Sequence, residues 1–492
     1  MLLLVMYMDK SLKKNILDFK EMFSSSADFT IREFKINTPK GKNAAVFTME
    51  GMCNKETLAI SVINPIMGCR YRSDNGTELL EVIKTSVITA SEMVDVKDSE
   101  MFLTLLMSGF AIIAVDGCDN MLAIGLQGFS FRSVSEPSGE TIQRGSREGF
   151  VEPLRINMTL IRRRIKSPKL VFETMTVGTL SKTQICLCYL SDRTSKQILK
   201  KLKEELGKCD LETVLAAGYL VPFLEDNEEK SLFTGVGISE RPDTVCGKIT
   251  EGRIAVMIDG SPSVLYVPKL FVENFQSFDD YSNRPYYAAF TRILKYISFL
   301  AAIYIPGLYV AFATFHPELF PPGILSKIVS SVTQTPLPLM LEVLLIHFIY
   351  EIMREAGLRI PKPLGHAVGI VGALVIGESA VSAGIIGSPT LMVVAIAAIA
   401  SYTIPDLYPC ITILRLVYII CGGILGLWGI VLVSFVMLLN LCGKNSFGVP
   451  YASPFAPFMP WAMRDTFIRA SWKKLAKKVL KIQDVKGADE EQ

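Results

Sequence analysis

Between Ala367 and Ser401 the chain reads AVGIVGALVIGESAVSAGIIGSPTLMVVAIAAIAS. A soluble core helix does not need so long an apolar run, so the stretch predicts burial in a membrane. One carboxylate, Glu378, sits in mid-run. An ionisable group at membrane depth is costly unless it faces a partner or water, which makes Glu378 a candidate functional residue. On a helix of about 100° per residue, Gly365, Gly369, Ala373 and Gly377 form a seam of small residues. Another helix backbone can approach closely along such a seam. Val368, Val371, Val375, Glu378, Ser379 and Ser382 fall on roughly the opposite side. Two readings follow from this pattern. The mixed face lines a narrow water-filled path, or the helix is tightly packed and Glu378 is satisfied by a neighbour.

Half of the 492 residues are hydrophobic, and the excess is not uniform. Charge is ordinary as far as about Lys295 and sparse from there to Leu441. This predicts an α/β soluble N-terminal region of two related lobes, followed by an α-helical integral membrane domain. The expected division is 1–135 for the first lobe and 136–280 for a basic linker segment with the second lobe. A transmembrane helical domain is expected over 281–445 and a basic amphipathic cytoplasmic tail over 446–492. A net charge of +3 gives no reason to expect a nucleic-acid partner.

The chemistry-bearing residues exclude more than they suggest. Ten cysteines are scattered; Cys186 and Cys188 share one strand face, with neither a second pair nor a histidine cluster nearby. No metal site is expected, and the cysteines read as reduced core residues. The three histidines, His316, His347 and His366, lie in or beside the apolar half. GSREG lacks the phosphate-loop pattern, so nucleotide binding is unsupported. No nucleophile–base pair is visible, so no catalytic residue and no cofactor is expected. The start MLLLVMYM is too short for a signal peptide and reads as a buried strand or a frayed end.

The soluble half contains a repeat. AAVFTMEGMCNKETLAISVI gives strand, turn and helix start, and ICLCYLSDRTSKQILKKLKEEL repeats that order roughly 140 residues later. FAIIAVDGCDNMLAIGL and RIAVMIDGSPSVLYVPKL repeat a hairpin around Asp116-Gly117 and Asp259-Gly260. Asp-Gly between alternating apolar runs is a strong hairpin signal because the glycine accepts positive φ. Between the lobes, Glu136 to Lys166 carries the run Arg162-Arg163-Arg164. It is either a surface for lipid phosphates or an acidic neighbour, or a solvated linker with a charged helix.

Beyond Lys295 five apolar segments are predicted. Asp279 and Asp280 are placed to cap the first, Ile297 to Phe315, which Pro306-Gly307 is expected to break. Tyr281, Tyr286, Tyr287 and Tyr296 suit an interfacial belt, and Arg284, Arg292 and Lys295 mark that end as cytoplasmic. After a proline-rich stretch, LMLEVLLIHFIYEIMREAGLR places His347, Glu351, Arg354 and Glu355 on one face and Glu342 away from it. His347 and Glu351 are spaced to interact directly. Thr390 to Ile404 is too short to span and reads as a re-entrant piece. Ile411 to Leu441 reads as one long span carrying Arg415. The basic stretch Arg464 to Lys481 reads as an amphipathic helix on an anionic cytoplasmic leaflet. With both flanks cytoplasmic, the number of crossings must be even.

Several stretches together carry a resemblance: EPSGETIQRGSREGFVEPLRINMTLIRRRIK, ERPDTVCGKITEGRIAVMIDGSP, FDDYSNRPYYAAFTRILKY, TFHPELFP and REAGLRIPKPLGHAVGIVGALVIGESAVSAGIIGSP. In that order they resemble the A subunits of GerA-type spore germination receptors and their SpoVAF-like relatives. The resemblance implies a multi-pass protein of the spore inner membrane, with an integral-membrane B subunit that binds the nutrient and a C-subunit lipoprotein as partners. It implies a homo-oligomer, a pentamer, forming a nutrient-gated channel for monovalent cations. Glu378 departs from the family, which often has glutamine or another polar residue there. A non-conducting scaffold or signal relay is the competing reading, and a secondary transporter the third; no inverted repeat is visible in the apolar half.

Overall fold

The computed structural model describes residues 8–89, 92–128, 137, 139–140, 142, 144–225, 231–360, 375, 377–475, 481–485 and 487–488. The N-terminal half holds two five-stranded antiparallel sheets. The first comprises β1 (Phe29–Ile36), β2 (Lys42–Met49), β3 (Met93–Val96), β4 (Phe110–Val115) and β5 (Met121–Gly125), in the order β1-β2-β4-β5-β3. The second comprises β6 (Leu170–Val177), β7 (Thr183–Leu190), β8 (Gly237–Ser239), β9 (Ile254–Ile258) and β10 (Val264–Val267), in the order β6-β7-β9-β10-β8. The two orders match strand for strand. Helices α1 (Leu12–Met22) and α2 (Ser99–Leu106) belong to lobe 1. Helices α3 (Leu154–Arg164), α4 (Lys196–Gly207) and α5 (Pro242–Thr250) belong to lobe 2.

The central strands are apolar throughout because both faces of each sheet are covered. Along β4, Ala111, Ile113 and Val115 enter one core while Phe110, Ile112 and Ala114 enter the other. In β9, Ile254, Val256 and Ile258 face one side, and Ala255 and Met257 the other. This is the two-residue period of a strand read out on two cores. Cys186 and Cys188 of β7 share the second of these, as their spacing predicts.

The repeat extends to individual hydrogen bonds. Asp116 Oδ1 accepts from the Leu12 backbone N–H at 3.1 Å, and Asp259 Oδ1 accepts from that of Leu154 at 3.0 Å. The next residues, Gly117 and Gly260, sit at φ +84° and +85°. Their N–H groups donate to the Lys10 and Glu152 carbonyls. Asn15 ties its helix to Asp9 through both backbone groups, and Asn157 does the same with Val151. Each Asp-Gly hairpin is thus the clamp that seats the first helix of its lobe.

The basic run between the lobes is occupied within the fold. Arg162 is buried and donates from Nε to Asp28 Oδ2 at 2.8 Å and from Nη2 to Asp28 Oδ1 and Ser26 Oγ at 3.0 Å. It also reaches the Ser167 and Leu170 carbonyls. Arg163 and Arg164 both pair with Glu148 at 2.5 Å. Asp28 and Ser26 lie in lobe 1, so Arg162 joins the lobes. Gly51, at φ +79°, lies where a side chain would collide with the Thr159 hydroxyl of α3.

The helical half comprises α6 (Pro285–Phe315), α7 (Pro322–Gln334), α8 (Leu339–Arg359), residues 377–382, α9 (Ser388–Tyr402), α10 (Tyr408–Leu425) and α11 (Leu427–Gly443). Among the described residues, Pro285–Phe315 and Pro405–Leu425 are long and apolar enough to cross a membrane. Helices α7 and α8 make a pair bent by 80°.

The sequence expectations change at four places in this half. Helix α6 runs through Pro306 without a break. Pro306 and Gly307 instead serve a helix crossing: a Cβ on Gly307 would lie 2.8 Å from the Tyr418 carbonyl oxygen, and one on Gly422 would lie 2.7 Å from that of Gly307. Only paired glycines allow that approach. The run Ile411–Leu441 is two helices, because Gly426 at φ +61° turns the chain and α11 packs back on α10. Asp280 caps the short helix Phe278–Ser282 rather than α6, and its carboxylate takes the Arg292 Nε–H at 2.7 Å. The tail is not a single helix from Arg464 to Lys481. Its described α-helical residues are Trp472–Leu475, and Arg464 lies in a 3₁₀ turn.

Both sides of that turn fold back on the N-terminal half. Phe447, Val449, Ile482, Val485 and Ala488 enter the lobe 2 core. The Ser195 hydroxyl donates to the Ala488 carbonyl at 2.7 Å, and the Ile482 N–H donates to that of Glu251. Asp465 meanwhile accepts from Arg292 Nη1 at 2.8 Å.

Candidate functional site

The described part of the central apolar helix has two unlike faces. Gly377 is buried, and a Cβ there would touch Leu391 of α9 at 3.3 Å. Val375, Glu378, Ser379 and Ser382 are exposed, Val375 by 52%. Packing therefore uses the small-residue side and leaves the mixed side open. Val368, Val371, Gly365, Gly369 and Ala373 lie outside the described residues.

The helix ends by a defined chain reversal. Gly384 takes φ +68°, its N–H donates to the Val381 carbonyl, and the Ile385 N–H donates to that of Ala380. This pair of bonds around a left-handed glycine satisfies the last carbonyls of the helix. Helix α9 starts four residues after Gly384, with Gly387 as its N-cap.

Glu342 of α8, which the sequence places away from the polar face, fastens this reversal. Its side chain is fully buried; Oε1 accepts from the Gly387 N–H at 2.8 Å and Oε2 from the Thr335 hydroxyl at 3.3 Å. A side chain on Gly387 would strike the Ser331 hydroxyl of α7. One carboxylate thus ties α7, α8 and the start of α9 to the end of the exposed-face helix.

One turn further along α8 from His347, Glu351 gathers a second network. It accepts from Tyr408 Oη at 2.8 Å, Arg415 Nη2 at 2.8 Å and Arg354 Nε at 3.0 Å. The Thr412 hydroxyl also donates to it at 3.4 Å, and His347 is not among its partners. Glu355 turns to Arg359 at 2.8 Å.

Lobe 2 is tied to the helical half by two ion pairs. Lys269, following β10, reaches Asp406 at the start of α10 across 2.8 Å. Lys444, after α11, pairs with Glu225 at 3.3 Å. Glu273, on the same side of lobe 2, is fully buried; burial alone would raise its carboxyl, but Arg253 and Lys248 hold it down to about 2. None of these pairs is legible from spacing, because each joins residues far apart in sequence. Among the described residues no group of His, Cys, Asp or Glu has the geometry of a metal site.

Glu140 differs from its neighbours. Burial pushes its carboxyl from 4.5 up to about 7, against the Ser239 and Glu240 hydrogen bonds that favour the charged form; Asp406 adds to the rise. The folded chain then keeps a proton that the unfolded chain has lost, so stability falls as pH rises from 4.5 to about 7 and is level beyond. Thermal unfolding of wild type against Glu140→Gln from pH 4.5 to pH 8 is expected to show this slope in wild type alone. Parallel curves would remove Glu140 as its source.

These features define a protein with a duplicated α/β region locked onto a bundle of apolar helices, two of which, among the described residues, are long and apolar enough to cross a membrane. The chain belongs to the family described as Bacillus/Clostridium GerA spore germination protein, which matches residues 18–480. It is 38% identical over 464 residues to spore germination protein KA of Bacillus subtilis (strain 168), covering 94% of this chain and 85% of that protein. It is 33% identical to the uncharacterized membrane protein YfkQ of the same organism, covering 94% and 89%. It is 30% identical to spore germination protein GerLA of Bacillus cereus, covering 92% of each chain. Among solved structures, it is similar to the N-terminal domain of the A subunit of the Bacillus megaterium spore germinant receptor GerK3. That match has a TM-score of 0.42 at 26% identity and covers 54% of this chain and 98% of that one.

Proposed function

We propose that this chain is the A subunit of a nutrient germinant receptor, and that several copies enclose a gated path for monovalent cations in the spore inner membrane. The observation that carries the reading is the division of the 377–382 helix into a packed glycine side and an exposed side with Val375, Glu378, Ser379 and Ser382. One copy offers a single narrow face, which cannot enclose a channel. A ring of copies, a pentamer by the family resemblance, packs through Gly365, Gly369, Ala373 and Gly377. Val368, Val371 and Val375 then stack as apolar rings that gate by dewetting. Glu378 forms a carboxylate ring that attracts cations.

In this reading a B subunit binds the nutrient and a C-subunit lipoprotein completes the receptor. Lipids contact the exposed aromatic base of α6, where Tyr286, Tyr287 and Phe290 are exposed. The soluble lobes, residues 1–135 and 136–280, and the tail from 446 lie on the cytoplasmic side of the 281–445 helical domain. The return of the tail to lobe 2 supports an even number of crossings.

The test is cation flux through proteoliposomes carrying the receptor complex. Val371→Ala or Val375→Ala is expected to leak potassium without nutrient. Glu378→Gln is expected to lower cation preference with assembly intact. If the valine variants stay as tight as wild type and Glu378→Gln changes neither conductance nor selectivity, the helix is packing material and the scaffold reading stands.

A further inference from the structure

Arg415 is almost wholly buried in α10, and only one of its three side-chain nitrogens, Nη2, has a partner, Glu351. Nε and Nη1 are buried with no hydrogen-bond partner among the described residues. One turn before Glu351 on the same face of α8, His347 is fully buried, and neither of its ring nitrogens has a partner. The Glu351 that holds Arg415 is the residue four positions further along α8. The Tyr350 ring lies 5.9 Å from the guanidinium carbon and walls one side. Two unsatisfied, fully buried polar side chains from two helices therefore lie in one interface.

The donor set restricts what they bind. A guanidinium has no acceptor, so whatever meets Arg415 Nε and Nη1 must accept hydrogen bonds, and a neutral imidazole supplies one further N–H. Charge points the same way. Arg354 and Arg415 share the single carboxylate of Glu351, since Glu355 is engaged by Arg359 at 2.8 Å and lies 4.0 Å from Arg354. Arg415, itself buried, is therefore only partly neutralised by Glu351, and a buried charge calls for a counter-charge. A cation is excluded by repulsion, and with His347 and Arg415 only 0% and 1% exposed, a bulky anion has no route to their nitrogens. We propose that Arg415 and His347 hold a small monovalent anion, a halide or a formate-sized carboxylate, between α8 and α10. The anion cements the α8–α10 contact, independently of whether the central helix conducts.

The probe is chloride. In full-length protein purified in detergent, thermal unfolding is followed while chloride replaces gluconate at constant ionic strength, and retention of chloride-36 is measured alongside. The unfolding temperature is expected to rise and saturate with chloride. Bromide should substitute, formate should compete if the site takes carboxylates, and gluconate should not act. Arg415→Lys keeps the charge and the Glu351 pair but removes the free N–H groups; it should weaken half-saturation by about tenfold, one lost charged hydrogen bond's worth. His347→Phe keeps the bulk and should weaken binding in the same direction, so the idea stays testable if the arginine variant does not fold. The proposal fails if wild type shows no saturable chloride response, or if a response persists unchanged in both variants. Water alone then satisfies these atoms.

Discussion

Arg162→Ala is expected to cost the chain about 3–5 kcal/mol, because it leaves the buried Asp28 carboxylate without a counter-charge. The guanidinium holds Asp28 and Ser26 of lobe 1 and two carbonyls of lobe 2 at 2.8–3.0 Å. It also lies over the Phe172 ring at 4.8 Å. No solvent reaches the pair to replace what is removed. Replacing both partners, Arg162→Met with Asp28→Leu, is expected to recover most of the loss, since an apolar pair of similar bulk leaves no stranded charge. Urea unfolding of the detergent-solubilised chain measures both. An alanine variant as stable as wild type would show that the lobes are joined by other contacts, and a double variant no better than the single would show that the loss does not come from the stranded carboxylate.

Glu342→Ala is expected to release the chain reversal at Gly387. The loss includes a charged acceptor for a buried backbone N–H, worth about 1.5–3 kcal/mol, and it loosens α7, α8 and α9 together. Glu342→Gln should do much less, because its amide oxygen still accepts from Gly387 and its NH₂ can donate to Thr335. Protease sensitivity between Gly384 and Pro389, compared across wild type, alanine and glutamine forms, reads this directly. Equal protection in all three would mean that the reversal is held by Gly384 and its two backbone bonds alone.

The reach of the sequence follows from how local each cause is. Asp116-Gly117 and Asp259-Gly260 announced themselves because a tight turn needs its residues side by side, and the duplication of lobes followed from two such pairs. The exposed face at Val375, Glu378 and Ser382 was likewise carried by helical spacing. Arg162 was misread because a triple arginine looks like surface, and its partner lies 134 residues away in another lobe. Gly426 left a trace that length alone reveals: a helix from Ile411 to Leu441 would run about 46 Å, half as long again as a hydrocarbon core. Glu342 left none. Its position on the α8 wheel says only that it is apart from Glu351, and the backbone N–H it accepts belongs to a loop that the wheel does not contain. Asp406 and Lys269 are silent for the same reason.

The strands of lobe 2 are made before the first apolar helix, yet five of the residues that fill its core, Phe447, Val449, Ile482, Val485 and Ala488, follow the last one. A ribosome must therefore deliver the entire helical half before that core can close. Lobe 1, whose cores draw only on residues up to Leu126, has no such wait. The second lobe becomes a record of synthesis through the helices: a chain cut short within them carries an open apolar cleft on lobe 2, available to quality-control proteases, and only a chain that extends through Ala488 conceals it.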